Sequence, residues 1–349
     1  MIYKELPAEG IPVIQASDIR SSADIVLNAD VVVVGSGVGG SVIAHELAAA
    51  GKSVIVLEAG RYVPSSQFTE DMAWALENLY QDVGTQTNTV GDTVVLQGRC
   101  MGGSSVVSAT IAARAPDYVL ESWAKDHGIE GLAPDKINRY YEKVEKHLHV
   151  HLNEPHEIND CANAVIRGCE ALGWSWRPQS RNAKQCALTG HCLAGCPSDR
   201  KTSMPVTYLA WATAAGVRIY SDTYVEQILI KNGRAVGVSG RVIDPKNQAV
   251  IANIKVNAQI VVSSAGAIQT PLLLQRSKLP NKNNQLGRNL SLHPTGVVLG
   301  KFPVPVYGWR GAFTGMHIDE FLGEKNGKML MESGLAAPVQ LMAQNELSV

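Results

Sequence analysis

The residues that can do chemistry in this chain fall into three groups. The first is Gly35-Ser36-Gly37-Val38-Gly39-Gly40, with Glu58 eighteen residues beyond Gly40. The spacing is G-x-G-x-x-G. The first glycine allows a tight turn, the second lets backbone approach a pyrophosphate, and the third lets a helix pack closely on a strand. An acid at the distance of Glu58 takes ribose hydroxyls. The second group is Gly98-Arg99-Cys100-Met101-Gly102-Gly103-Ser104-Ser105, whose glycines and serines offer backbone N–H groups to an anion. The third is Cys186-x5-Cys192-x3-Cys196-Pro197, which ends in the C-x3-C-P spacing of ferredoxin runs. Three thiolates there can hold a three-iron (3Fe-4S) cluster, with zinc or a plain thiol-rich loop as the alternatives. His147, His149 and His151 alternate, but they have no carboxylate or cysteine at ligand spacing and read as a helix end. Cys100, Cys161 and Cys169 read as packing thiols.

Elements must hold the first group in place. Val31–Val34 are four consecutive valines, the pattern of a parallel strand buried on both faces. Val42, Ile43, Leu47 and Ala50 follow at helical spacing, and Gly51 stops the helix. Ser53–Leu57 is the second strand, with Glu58 at its end. This strand–glycine–helix–strand–acid context makes the motif a dinucleotide site and leaves NAD and FAD open. Residues 62–92 form a long excursion around one short helix (Met72, Leu76, Leu79), and Thr93–Leu96 reads as a strand before the second glycine loop. Helices are expected at Asp135–His147, Asn159–Leu172 and Pro205–Ala215. Val217–Tyr220 is a strand. Tyr224–Ile230, Ala235–Val242 and Val250–Val256 form a meander, with Asn232-Gly233 as its hairpin signal. Ile260–Ser264 is a separate strand that turns through Ala265-Gly266 into a helix. A Rossmann half, a three-stranded meander and a returning strand is the arrangement of FAD-binding flavoproteins. It moves the expected cofactor from NAD to FAD.

Together these segments resemble the glucose–methanol–choline (GMC) flavin oxidoreductases. Asp30–Gly60, Gly98–Ser108 and Gly266-Ala267-Ile268-Gln269-Thr270-Pro271-Leu272-Leu273 carry the resemblance in family order, with a weaker match at Gly287–Pro294. The resemblance implies that Gly35, Gly37 and Gly40 cradle the FAD pyrophosphate and that Glu58 binds the adenosine ribose. By the same resemblance Gly98, Met101, Gly102, Gly103, Ser104 and Ser105 would lie along the pyrophosphate–ribityl–flavin side, with Ser108 as a shortened flavin-side contact. Val225 meets adenine through its backbone, and Ala265 and Gly266 close over the cofactor. The reaction it implies is hydride removal from the CH–OH group of an alcohol or sugar. Iron–sulfur members of the family have cysteines spaced like Cys186, Cys192 and Cys196. The sequence departs from the family at Ser108, usually Asn, at Ser277-Lys278-Leu279-Pro280, and at Leu292, commonly Asp. The family's catalytic His and its second His or Asn come from a C-terminal part. His293 and His317 do not sit in that motif, so no catalytic residue is assigned. The chain reads as an N-terminal fragment or subunit, with the missing half or an electron-acceptor protein as a partner. The alternative is a catalytically incomplete flavin-binding or electron-relay protein; an NAD-dependent dehydrogenase is the third reading.

The fold expected is α/β: an FAD-binding Rossmann-like parallel sheet with a three-stranded β-meander, plus an incomplete substrate-side α+β domain. The expected division is an extension (1–28), the first part of the FAD domain (29–120), a helical Cys-rich insertion (121–200), the second part of the FAD domain (201–290), and the start of a substrate domain (291–349) whose first strand is about Gly296–Phe302. The 349 residues are 45% hydrophobic, enough for a sizeable core. A net charge of −1 argues against a nucleic-acid partner. No apolar run reaches membrane-spanning length, and Met1–Pro7 lacks a signal-peptide core. A soluble, cytoplasmic chain is expected, with peripheral attachment through another subunit left open.

Overall fold

The computed structural model describes residues 10–20, 23–293, 296–322 and 328–334. The expected extension before residue 10 and the last part of the 291–349 segment lie outside them. The chain divides into two compact units. Unit 1 combines residues 1–107 and 203–300, and unit 2 combines 108–202 and 301–349.

Unit 1 is built on a six-stranded sheet. Its strands are β1 (Ile25–Val34), β2 (Val54–Leu57), β6 (Arg218–Tyr220), β7 (Thr223–Lys231), β8 (Arg234–Ile243) and β9 (Val250–Ser263), in the order β6-β2-β1-β9-β8-β7. β6, β2, β1 and β9 run parallel, while β9, β8 and β7 form the antiparallel meander. Val31–Val34 and all of β2 are buried, as runs without polar alternation require at the centre of a parallel sheet. Two expectations change here. The separate strands 250–256 and 260–264 are one strand, because β9 pairs with β8 through Asn257 while it already pairs with β1 from Ile254 onward. The apparent break at Asn257 is held by a bond from its Nδ2 to Asn28 Oδ1 at 3.0 Å. Ile25–Asn28 likewise belong to β1 rather than to an extension, since β9 is long enough to pair with them.

α1 (Val38–Ala49) follows β1 and packs on α6 (Tyr208–Ala214). Its buried face is Gly40, Ser41, Ala44 and His45, while Ile43 is exposed and Val42 and Leu47 are half-buried. The small residues face inward because the helix lies very close to the turn before it. The His45 ring meets Tyr208 and Trp211 with centroids 5.7 and 5.8 Å away. The remaining helices of the unit are α2 (Met72–Leu79) and α7 (Gly266–Arg276). Asp71 caps α2 by accepting from Ala73 N at 2.7 Å. Thr93–Leu96 is not a strand. Val94 makes only an isolated bridge to Thr87, and Gly98 one to Tyr80. Residues 204–206 form a 3-10 turn, so the expected helix at 205–215 begins at Tyr208.

Unit 2 contains α3 (Asp117–His127), α4 (Pro134–His147) and α5 (Asp160–Leu172). It also has a three-stranded sheet of β4 (Trp176–Pro178), β10 (Met316–Ile318) and β11 (Met331–Glu332), and the pair β3 (Val150–Leu152) and β5 (Ser180–Asn182). Asn159 caps α5 with a bond from Ala162 N at 2.8 Å. Ala162, Ile166 and Cys169 face inward at the expected positions and pack with Met316 and Ile318. A buried polar group lies beside the β3–β5 pair. The Arg181 guanidinium, 1% exposed, donates to Asn153 Oδ1 and to Glu157 Oε1. His151 Nε2 lies 3.2 Å from Glu157 Oε2. The strand expected at 296–302 does not form among the described residues.

Candidate functional site

The site is assembled from the ends of three strands of unit 1. Gly35 ends β1 with φ +97°, and a Cβ there would lie 2.5 Å from the Ser264 carbonyl oxygen. Glycine is therefore required both by the turn and by the Ser264-Ala265-Gly266 turn pressed against it. A Cβ at Gly40 would lie 2.0 Å from the Gly35 oxygen, so helix and turn touch backbone to backbone. Gly37 differs: nothing lies within 4 Å of where its Cβ would be. It is the N-cap of α1 and provides no side-chain cap. The first-turn N–H groups and the positive end of the helix dipole thus face a space that an anion fits.

Glu58, at the end of β2, is 8% exposed and accepts three hydrogen bonds. Ser36 N and Ser36 Oγ reach Oε2 at 2.8 and 2.6 Å, and Gly60 N reaches Oε1 at 2.8 Å. A carboxylate has about four acceptor positions, which leaves Oε1 able to take one more donor. Burial pushes the Glu58 carboxyl up, against the hydrogen bonds of Ser36 and Gly60 and the charge of Arg99, and its pKa stands above the usual value. The start of β7 is fixed to the same residue. Glu58 N donates to Tyr220 O and Thr223 N donates to Glu58 O, each at 2.8 Å. Val225, buried on β7, follows two residues later.

The second glycine loop joins the first through Ser36. Gly102 N donates to Ser36 Oγ at 2.9 Å. A Cβ on Gly103 would lie 3.1 Å from Gly37 Cα. Ser104 Oγ accepts from Gly98 N at 2.9 Å; Ser105 Oγ donates to Gly102 O at 2.7 Å and accepts from Met204 N at 3.1 Å. Met101 is buried. Gly266 opens α7 with φ +85°, and its Cβ direction holds only Gln97 Nε2, at 3.9 Å. Gly35, Gly37, Gly40, Glu58, Gly98, Met101, Gly102, Gly103, Ser104, Ser105, Val225, Ala265 and Gly266 all lie in unit 1, and Ser108 lies in unit 2. There the Lys201 ammonium donates to the carbonyls of Ser108 and Cys192 at 3.1 and 2.6 Å.

Three contributors escaped the sequence reading. Ser36 occupies a variable position of the glycine motif, yet it links Glu58 to Gly102. Ser41 Oγ donates to Ser36 O at 2.6 Å and locks the same turn. Gly60 lets the second loop pass, since a Cβ there would lie 2.4 Å from Arg99 C and Cys100 N. Only the serine next to the motif's first glycine carried a signal, as a hydroxyl placed two residues past a strand end.

The three-iron cluster expected at Cys186, Cys192 and Cys196 finds no support in the structure. Among the described residues no group of three or more His, Cys, Asp or Glu is arranged to hold a metal. Two of the thiols accept bonds within their own loop. Cys186 Sγ accepts from Leu188 N and Cys196 Sγ accepts from Lys201 N, both at 3.4 Å. Burial pushes the Cys192 thiol up, against the nearby Lys201 charge and with the neighbouring Cys186 and Cys196 pushing the same way. His147 ends α4, and His151 pairs with Glu157.

Comparison with known proteins agrees with this geometry. A family model described as GMC oxidoreductase matches residues 76–295, more than half of the chain. One described as NAD(P)-binding Rossmann-like domain matches residues 33–73. The chain is similar to the uncharacterized GMC-type oxidoreductase y4nJ of Sinorhizobium fredii, with 34% identity over 87% of the chain and 59% of that protein. It is also similar to long-chain-alcohol oxidase FAO3 of Arabidopsis thaliana, with 32% identity over 79% of the chain and 38% of that protein. Among solved structures, that of pyridoxine 4-oxidase from Mesorbium loti superposes with a TM-score of 0.56 at 21% identity, over 72% of this chain and 52% of the other. The chain thus spans about half the length of the relatives it matches.

Proposed function

The chain belongs to the GMC oxidoreductase family, and from that premise we propose that it is the FAD-holding portion of an oxidoreductase acting on CH–OH groups. The single observation that carries this reading is the junction of two glycine loops at Ser36: one leads into an uncapped helix N-terminus, and the other lies against Gly37.

The residues divide the work of binding. The N-terminal N–H groups of α1 and the helix dipole, worth about half a unit charge, hold the pyrophosphate. Glu58 Oε1 takes a ribose hydroxyl while Oε2 keeps the Ser36 turn closed. The backbone of Gly98–Ser105 lines the ribityl side, and the start of β7 around Val225 meets the adenine. Ala265 and Gly266 close the floor against Gly35. Bound there, FAD supplies the acceptor for the hydride leaving an alcohol carbon. The substrate is a small-molecule alcohol or sugar, a class supported by the name of the long-chain-alcohol oxidase relative. No residue of this chain is assigned as the base.

The test is a reconstitution of the purified chain with FAD, followed by removal of free cofactor and anaerobic addition of primary alcohols and aldoses. A stoichiometric flavin spectrum that bleaches with one of them is expected. A chain that retains no flavin refutes the cofactor reading. A retained flavin that no alcohol or sugar bleaches supports the second reading, a catalytically incomplete flavin holder.

A further inference from the structure

Residues 97–100 run extended into the second glycine loop. Gln81 N donates to Gln97 O and Arg99 N donates to Leu79 O, each at 2.8 Å, and Met101 N donates to Arg61 O at 2.9 Å. Successive side chains of an extended segment point to opposite faces. One face belongs to Gly98 and Cys100. A Cβ on Gly98 would meet Gly103 and Ser104 at 2.7 Å, and Cys100 is buried with its thiol on the Gly103 carbonyl. Gln97 and Arg99 share the other face. It looks toward the opening turn of α7, because Gln97 Nε2 lies in the Cβ direction of Gly266.

Arg99 is half-buried there, and its guanidinium makes no hydrogen bond and no ion pair among the described residues. The neighbouring Arg61 is engaged, since its Nη1 donates to Asn78 Oδ1 at 2.9 Å. A Cβ on Gly60 would lie 2.4 Å from Arg99 C, and Gly60 N is bonded to Glu58 Oε1. The cation is therefore rooted beside the carboxylate. Burial pushes the Glu58 carboxyl up, and the Arg99 charge is among the groups that oppose it. A pyrophosphate diester is dianionic. The α1 dipole offsets about half a unit of that charge, and an ionised Glu58 adds to it. A guanidinium matches phosphate oxygens in pairs and keeps its charge at every working pH.

We propose that Arg99 pairs with the FAD pyrophosphate and supplies the counter-charge that the α1 N-terminus leaves unbalanced. This rests on the FAD reading above and adds a side-chain phosphate contact to a cradle otherwise made of backbone. The test titrates the purified full chain, freed of flavin, with ADP and with adenosine in a calorimeter. ADP brings the phosphates without the flavin, and adenosine brings neither. The wild type is expected to bind ADP more tightly than adenosine, and to lose that advantage as salt rises. Arg99→Gln should weaken ADP about 10- to 100-fold and adenosine by less than about threefold. Arg99→Lys keeps the charge without the fork and should fall between. Both variants should melt as the wild type does, because the side chain has no protein partner to lose. Two results overturn the proposal: Arg99→Gln binding ADP as the wild type does, or losing ADP and adenosine in equal measure. If Arg99→Gln does not fold, an Arg99→Lys protein with undiminished ADP affinity and an unchanged salt dependence overturns it instead. A wild type that binds neither nucleotide refutes the FAD reading itself, whereas a wild type that binds ADP beside an unaffected variant refutes only the role of Arg99.

Discussion

Gly37→Ala separates the shape of the binding site from the stability of the fold. At most positions of a glycine-rich turn an added methyl disturbs both. Here the Cβ of residue 37 would have nothing within 4 Å, and φ of −63° is ordinary for alanine. The variant loses a tolerated N-cap glycine but gains from a less flexible unfolded chain. The two effects are each under about 1 kcal/mol and opposite in sign. Its melting temperature should therefore stay close to that of the wild type. The methyl projects into the space before the α1 N-terminus, where it blocks one or two charge-assisted hydrogen bonds to phosphate. At about 1.5–3 kcal/mol each, this weakens FAD binding by roughly 3 kcal/mol, or about 100-fold. Gly40→Ala is the counterpart. Its Cβ would meet the Gly35 oxygen at 2.0 Å, so α1 must move away from the turn. Overpacking of this kind costs about 1–3 kcal/mol, and both stability and flavin content should fall. The assay is flavin absorbance per protein after gel filtration, with a thermal melt of each apo protein. A Gly37→Ala protein with full flavin occupancy would refute the cradle. One that melts far below the wild type would refute the open space.

Glu58→Gln replaces one acceptor oxygen with an NH2 that faces donors at Ser36 and Gly60; a loss of about 1–3 kcal/mol in urea unfolding is expected, together with weaker flavin retention. Arg181→Met leaves the Glu157 carboxylate buried without its cation, a loss of about 3–5 kcal/mol, and the Arg181→Met/Glu157→Leu double variant should recover part of it in the same titration. Burial pushes the Asp319 carboxyl up, but the Ser175 hydroxyl and the Arg177 guanidinium outweigh it and hold the pKa below the ordinary value of 3.8. A lowered folded-state pKa gives stability that is present above the unfolded value and is lost as pH falls through the folded one. Asp319→Asn should therefore flatten the decline of the melting temperature below pH 4, and an unchanged acid limb would count against the pair.

The strands at the centre of the parallel sheet were legible because a strand buried on both faces can carry only apolar residues, and Val31–Val34 are four valines in a row. The helices at 135–147 and 159–172 were legible to within a residue because their apolar period and caps are local properties. The strand expected at Thr93–Leu96 failed because no second strand came alongside it beyond one bridge, and pairing is not a property of the segment itself. The two strands read at 250–256 and 260–264 became one for the complementary reason: neighbours on both sides held Asn257 in line despite its poor strand propensity.

The candidate site divides along the same boundary. The sequence by itself determined the glycines, since their spacing records where backbone must approach backbone, and it determined Glu58 from its place at the end of the second strand. Only the tertiary structure decided that Ser36 joins Glu58 to a loop 66 residues away, and that Gly60 opens the way for that loop. It also decided that Cys186 and Cys196 accept bonds from their own turns although their spacing suits a metal. A hydroxyl or a thiol has no meaning until its partner is in reach, and the partner is brought there by the packing of strands and loops remote in sequence.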